Sequence, residues 1–164
     1  MLKFASVLAV AGFASIAQPL AAQPVLGSDA AACRGGGSAV LVNVKGLKSS
    51  SGKLRVQLYP ANSDFLAKGK YLRRIDLPVT GTSMRVCVDA PRPGNYAVAV
   101  RHDVDGNGKS GWNDGGGFSR NPSISLADLK PTPGEVAIAV GNGVRSIDVV
   151  MNYRRGLSIG PVRN

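Results

Sequence analysis

Gly94-Asn95-Tyr96-Ala97-Val98-Ala99-Val100-Arg101-His102-Asp103 is the stretch on which the fold turns. Tyr96, Val98 and Val100 alternate with Ala97 and Ala99, so this strand is apolar on both faces. Such a strand belongs in the middle of a sheet, covered on each side. The preceding Pro91-Arg92-Pro93-Gly94-Asn95 is a turn signal, because proline presets φ and glycine tolerates positive φ. Beyond Val100 the pattern stops, and a polar, glycine-rich loop begins.

Upstream, Val40, Val42 and Val44 alternate with Leu41, Asn43 and Lys45, the period of a half-buried strand. Leu54, Val56 and Leu58 repeat it with Arg55, Gln57 and Tyr59. The serine-rich linker Gly46 to Gly52 leaves two options for this pair, a hairpin or a crossing between sheets. Pro60 ends the second strand, since proline cannot donate to a ladder, and Ser63 is placed to cap a single helical turn. Ile75, Leu77 and Val79, then Met84, Val86 and Val88, give two more strands. Downstream, Ser125 to Leu129 predicts another helical turn. Val136, Ile138 and Val140 pair with Ile147, Val149 and Met151 through a hairpin turn at Gly141-Asn142-Gly143. About seven short strands with frequent Gly/Pro turns and no long helical period predict an all-β fold, a single antiparallel β-sandwich, immunoglobulin-like or prealbumin-like.

The 164 residues fit one domain once a leader is subtracted. Lys3, the apolar run from Phe4 to Ala17 and the small-residue exit at Ala21-Ala22 read as a signal peptide over 1–22. The run is too short for a membrane span, and none is expected elsewhere. Residues 23–37 read as a flexible arm, 38–153 as the sandwich, and 154–164 as a C-terminal tail. The localisation expected is periplasmic or secreted. Cys33 and Cys87, the two cysteines, fit an oxidising compartment as one disulfide, the alternative being two separate thiols.

The formal charge of +10 is spread along strands as single residues or pairs, with no aromatic platform beside them. That pattern and export exclude nucleic acid and favour a solvated basic face or weak association with an anionic surface. The partner expected is a protein or glycan of the cell envelope.

The loop Arg101 to Asp114 concentrates three of the ten acidic residues. Asp103, Asp105 and Asn107 occupy alternate positions, Gly108 stands at a sharp turn, and Asp114 closes a twelve-residue span. With the backbone carbonyl of Lys109 they form the oxygen set that Ca²⁺ takes, six to eight ligands from positions one, three, five, seven and twelve. Ser110 stands where helix-flanked loops have an apolar residue, and strands flank this one, so the expectation is a site of the weak extracellular class, with a Kd of about 10⁻⁴–10⁻³ M. The competing reading is an Asx-turn loop whose side chains bond their own backbone.

The run Gly94 to Lys109, followed by Gly117-Phe118-Ser119-Arg120-Asn121, resembles the domain-of-unknown-function family 2141 of small exported bacterial proteins. The resemblance covers roughly Ala39 to Tyr153. It implies a signal peptide, a β-sandwich and no assigned activity. The family's Tyr-Ala-Val strand matches Tyr96-Ala97-Val98, and its acidic run matches His102, Asp103, Asp105, Asn107 and Gly108. Its later Glu-Gly-x-Gly-Phe-Ser looks like Asp114 to Ser119. The chain departs from it at Gly111, where the family has an acidic residue, and at Asp114, shorter than the family's glutamate.

No nucleophile elbow, P-loop, zinc cluster or dinucleotide fingerprint is present. Two function classes follow. One is a non-enzymatic exported module with a Ca²⁺-steadied loop, in which His102 packs against Trp112 or Phe118. The other is a small hydrolase-like enzyme using His102, the single histidine, with Asp103 or Asp105; it requires His102 to stand in a concave pocket. The first is the reading adopted.

Overall fold

The computed structural model describes residues 23–162; residues 1–22, where the signal peptide is expected, lie outside them. In chain order the strands are β1 (Val25–Leu26), β2 (Ala39–Lys45), β3 (Lys53–Pro60), β4 (Arg73–Pro78), β5 (Ser83–Asp89) and β6 (Gly94–Asp103). They continue as β7 (Gly115–Phe118), β8 (Ile138–Val140), β9 (Val144–Val150), β10 (Asn152–Arg155) and β11 (Ser158–Gly160). One sheet has the order β1-β5-β2-β9, the other β11-β10-β7-β6-β3-β4 with β8 beside β6. The fold is therefore an all-β sandwich, with eleven strands rather than seven among the described residues. Antiparallel pairing dominates, but β1 with β5 and β2 with β9 run parallel.

Period-two alternation builds the core. Val40, Val42 and Val44 of β2 and Val86 and Val88 of β5 meet Leu54, Val56 and Leu58 of β3 across the sandwich. Each such fully buried side chain contributes about 2 kcal/mol of transfer free energy. β6 runs down the middle of the larger sheet, with β3 along one side. Its other side is shared end to end by β8 at Gly94–Tyr96 and β7 at Ala99–His102. Tyr96, Val98 and Val100 face the main core. Ala97 and Ala99 face outward into a second apolar cluster with Tyr59, Phe65 and Val136. Two coats, one per face, are the reason this strand is apolar throughout. Phe118 packs against that outer cluster and meets Phe65 edge-on, 6.1 Å between centroids, fastening the end of the polar loop. The buried Ser119 hydroxyl donates to the Val136 carbonyl and accepts the Val98 N–H, closing the ladder where β7 ends.

Several local expectations are corrected. Gly141 to Gly143 is no hairpin: β8 pairs with β6 and β9 with β2, so the turn carries the chain from one sheet to the other. Alternation alone cannot say which sheet a strand joins. Val136 ends a four-residue helix, Pro133–Val136, rather than starting a strand. The turn after Pro60 is held by the Asn62 side chain accepting the Asp64 N–H, not by Ser63. Ser125 and Asp128 exchange backbone hydrogen bonds without a helical turn. The linker Gly46 to Gly52 crosses between sheets. The segment from Arg154, expected as a tail, extends the larger sheet as the β10–β11 hairpin. The N-terminal arm pairs through β1 and is tied by the Cys33–Cys87 disulfide, which encloses 54 residues of separation. Among the described residues, no helix is long and apolar enough to cross a membrane.

Candidate metal centre and the buried histidine beside it

The end of β6 sorts its side chains by the same alternation: His102 points inward, Arg101 and Asp103 outward. β3 presses against this end so closely that Gly52 has no room for a side chain. A Cβ there would lie 2.6 Å from the Val104 carbonyl oxygen and closer still to that of Asp103. Gly52 also sits at φ +80°, a conformation glycine adopts at little cost.

Asp103 is 2 % exposed. Its Oδ2 accepts the Gly108 N–H at 2.8 Å and an Arg101 guanidinium N–H at 3.1 Å. Its Oδ1 is buried with no partner among the described residues, an uncommon condition for a buried polar atom. Burial raises the Asp103 pKa, but backbone hydrogen bonds led by the Gly108 N–H, together with the Arg101 charge, oppose it, and the carboxyl is held below the usual carboxylate range.

The rest of the loop is wired to itself. Gly108 takes the positive φ expected of it, +81°. Asp105 accepts the Asn107 backbone N–H at 3.1 Å and its side-chain NH₂ at 2.6 Å, and Asn107 Oδ1 accepts the Lys109 N–H at 2.7 Å. Asp114 accepts the Val104 N–H at 3.1 Å through one oxygen and the Gly111 N–H at 2.8 Å through the other. These are the Asx turns of the competing sequence reading. They coexist with convergence: oxygens of Asp103, Asp105 and Asp114 all lie within 4.8 Å of one another. Two oxygens on opposite sides of a Ca²⁺ ion stand about 5 Å apart, so the three carboxylates are close enough to share one. Arg101 is the one cation in ion-pair contact with the three carboxylates among the described residues.

His102 is fully buried, and it packs against neither Trp112 nor Phe118. Its Nε2 lies 2.9 Å from the Ser51 carbonyl oxygen and its Nδ1 2.7 Å from the Tyr153 hydroxyl. A carbonyl only accepts, so Nε2 carries the proton and Nδ1 accepts from Tyr153. The Tyr153 oxygen in turn accepts the Lys48 N–H at 3.0 Å. Every polar atom in this chain of bonds is satisfied. Burial, with the Asp114 charge adding to it, pushes the Tyr153 phenol up to about 12 against the opposing Lys48 hydrogen bond. Sequence reasoning missed Tyr153 because its partner lies 51 residues away, and no local signal links the two.

Trp112 stands 71 % exposed on the loop. The Arg154 guanidinium lies 3.2 Å from its ring centroid, a cation–π stack. Neither partner was legible as a pair in the sequence.

Residues 42–148 match a family described as an uncharacterized protein conserved in bacteria (DUF2141). No curated protein and no solved structure gives a significant match.

Proposed function

The chain belongs to that family of uncharacterized bacterial proteins, and we propose that this member is an exported, non-enzymatic β-sandwich module whose Asp103–Asp114 loop is steadied by Ca²⁺. Its role is to present the loop end of the sandwich to a protein or glycan of the cell envelope. The observation that carries the metal reading is Asp103 Oδ1, buried without a partner in a cluster whose carboxylate oxygens lie within 4.8 Å of one another. A divalent ion would supply the missing partner and neutralise three like charges. Asp103, Asp105 and Asp114 would hold it, with Asn107 and the Lys109 carbonyl as further oxygens of the same loop.

The sequence's leader and the Cys33–Cys87 disulfide support a periplasmic or secreted location, where bonds of this kind persist. For His102, both ring nitrogens are bonded inside the protein and the side chain is fully buried. A general base must reach the proton it removes, and this ring cannot without leaving its socket. The enzyme reading loses its only histidine on that ground.

The test is thermal unfolding in 10 mM CaCl₂ against chelator. With a Kd of about 10⁻⁴–10⁻³ M, saturation stabilises by about 1–3 kcal/mol, a rise of several degrees that Asp103→Ala abolishes. Superimposable curves in calcium and chelator would remove the metal from this proposal.

A further inference from the structure

The outer face of the larger sheet carries an open groove of about 470 Å³, within the range of small-molecule sites. Its apolar lining comes from Trp112, Phe118, Ile124, Leu126, Leu129 and Ile159. Three of the eight large apolar side chains that the described residues expose, Trp112, Leu126 and Leu129, fall in this one groove. Apolar surface gathered in this way marks a binding site more often than scattered residues do.

β7 supplies part of the lining, and its glycines divide by direction. Gly115 has no room for a Cβ under the Tyr153 ring, and a Cβ on Gly117 would come within 2.7 Å of the Val149 side chain. Packing explains both. Gly116 lines the groove beside Gly115, and a Cβ on Gly116 would meet nothing nearer than the Val100 carbonyl oxygen at 4.0 Å. Packing within the chain does not require a glycine at that position, and the missing side chain leaves the groove floor clear.

The polar lining is cationic. Arg101 and Arg154 both reach the groove. Arg101 Nε is buried without a partner. Arg154 donates through Nε to the Gly156 carbonyl, and its terminal nitrogens make no hydrogen bond among the described residues. The one carboxylate in the lining, Asp114, has both oxygens occupied by backbone N–H groups. Arg101 is held by Asp103 and Ser110, so the groove offers aliphatic walls together with the free terminal nitrogens of Arg154.

We propose that this groove binds a single-chain anionic amphiphile, an unbranched alkyl carboxylate whose chain lies over Gly116 between Leu126, Leu129 and Ile159 and whose head meets the free terminal nitrogens of Arg154. A sugar would need a free aromatic face and many hydrogen-bonding side chains. Here Arg154 covers one face of Trp112, and the polar side chains of the lining are engaged within the chain: Asp114 by two backbone N–H groups, Asn152 by the Val150 carbonyl and Ser110 by Arg101. The proposal goes beyond the metal reading; the groove shares Arg101 and Asp114 with that loop, so its titrations are run both in Ca²⁺ and in chelator, and binding in chelator separates the two.

Trp112, the single tryptophan, reports on the groove directly. Octanoate, decanoate and dodecanoate, kept below their micelle concentrations, are titrated into the purified protein by calorimetry and by tryptophan emission. The expected results are a blue shift, protection from acrylamide quenching, and a Kd that falls about fourfold per added methylene. Nonyl maltoside, with the alkyl chain of decanoate and a neutral head, binds about tenfold more weakly than decanoate, and Arg154→Gln erases that preference. Gly116→Leu, checked by circular dichroism, fills the floor and abolishes binding of every chain. Affinity that ignores chain length or head charge overturns the proposal. So does binding confined to phosphatidylglycerol vesicles, or a stronger response to an oligogalacturonate than to any alkyl acid. An unchanged Kd in folded Gly116→Leu would likewise place the ligand elsewhere.

Discussion

His102 and Asp103 are consecutive residues at the end of one strand, both polar and both buried, yet they sit in opposite situations. On the inner side, His102, Tyr153, the Ser51 carbonyl and the Lys48 N–H form a closed chain in which every donor has an acceptor. On the outer side, Asp103 keeps one oxygen without a partner beside two more carboxylates. A satisfied buried network fixes structure and leaves nothing for a ligand. An unsatisfied one leaves a place for something the chain does not itself supply. The difference assigns packing to the histidine and chemistry to the aspartate, the reverse of what a lone histidine in a sequence first suggests.

The comparison can be broken most forcefully from the inner side. Tyr153→Ala empties a buried aromatic site and is expected to cost about 4 kcal/mol in chemical denaturation. Tyr153→Phe keeps the ring but strands His102 Nδ1 and the Lys48 N–H, for a loss of about 2 kcal/mol. If Tyr153→Phe matched the parent protein in stability, the closed network would contribute nothing, and the contrast with Asp103 would lose its meaning.

On the outer side, the Ca²⁺-dependent gain of about 1–3 kcal/mol should vanish in Asp103→Ala yet survive in Tyr153→Phe. Loss in both would mean that the two sides are one cooperative unit.

Titration gives the smaller effects, with opposite signs. The folded Tyr153 phenol holds its proton up to about 12, against an ordinary 10.0. Its stabilisation is complete below pH 10 and is lost as pH rises from 10 towards 12. An alkaline unfolding curve should therefore flatten in Tyr153→Phe. Asp103 runs the other way: its pKa is lowered from 3.8, so its contribution is present above that value and is lost as pH falls through the depressed one. The Ca²⁺-dependent gain should shrink over the same fall in pH, since protons compete with the ion for the carboxylates, so acid unfolding curves with and without Ca²⁺ should converge in this range.

Much of the sandwich was legible in advance, for a physical reason. Each strand's alternation reports which of its faces is buried, and that is a local property of the chain. Val40-Val42-Val44, Leu54-Val56-Leu58 and Tyr96-Val98-Val100 all lie in the core as the alternation requires. The central place of β6 also followed, because Ala97 and Ala99 deny it a wet face. Pairing was not legible. Nothing in Gly141-Asn142-Gly143 distinguishes a hairpin from a crossing, and β9 found its partner in β2, a hundred residues upstream. The arm and the tail misled because short strands at sheet edges carry too few residues to show a period.

The candidate site divides along the same line. Asp103, Asp105 and Asp114 lie close together in the sequence, and glycine-driven turning at Gly108 brings them together; their convergence is within the reach of a twelve-residue loop. What became of His102 depended on Tyr153 and Ser51, each 51 residues away. The groove over Gly116 depended on β6 and β7, on the loop after them and on the distant β10–β11 hairpin.

By itself, then, the order of residues determined which faces are apolar, where the chain turns, and which loop gathers negative charge, since each depends on near neighbours. Tertiary structure alone decided which strands pair, which polar groups find partners and where apolar surface stays in the open. Those outcomes depend on contacts between distant segments, which no local pattern encodes.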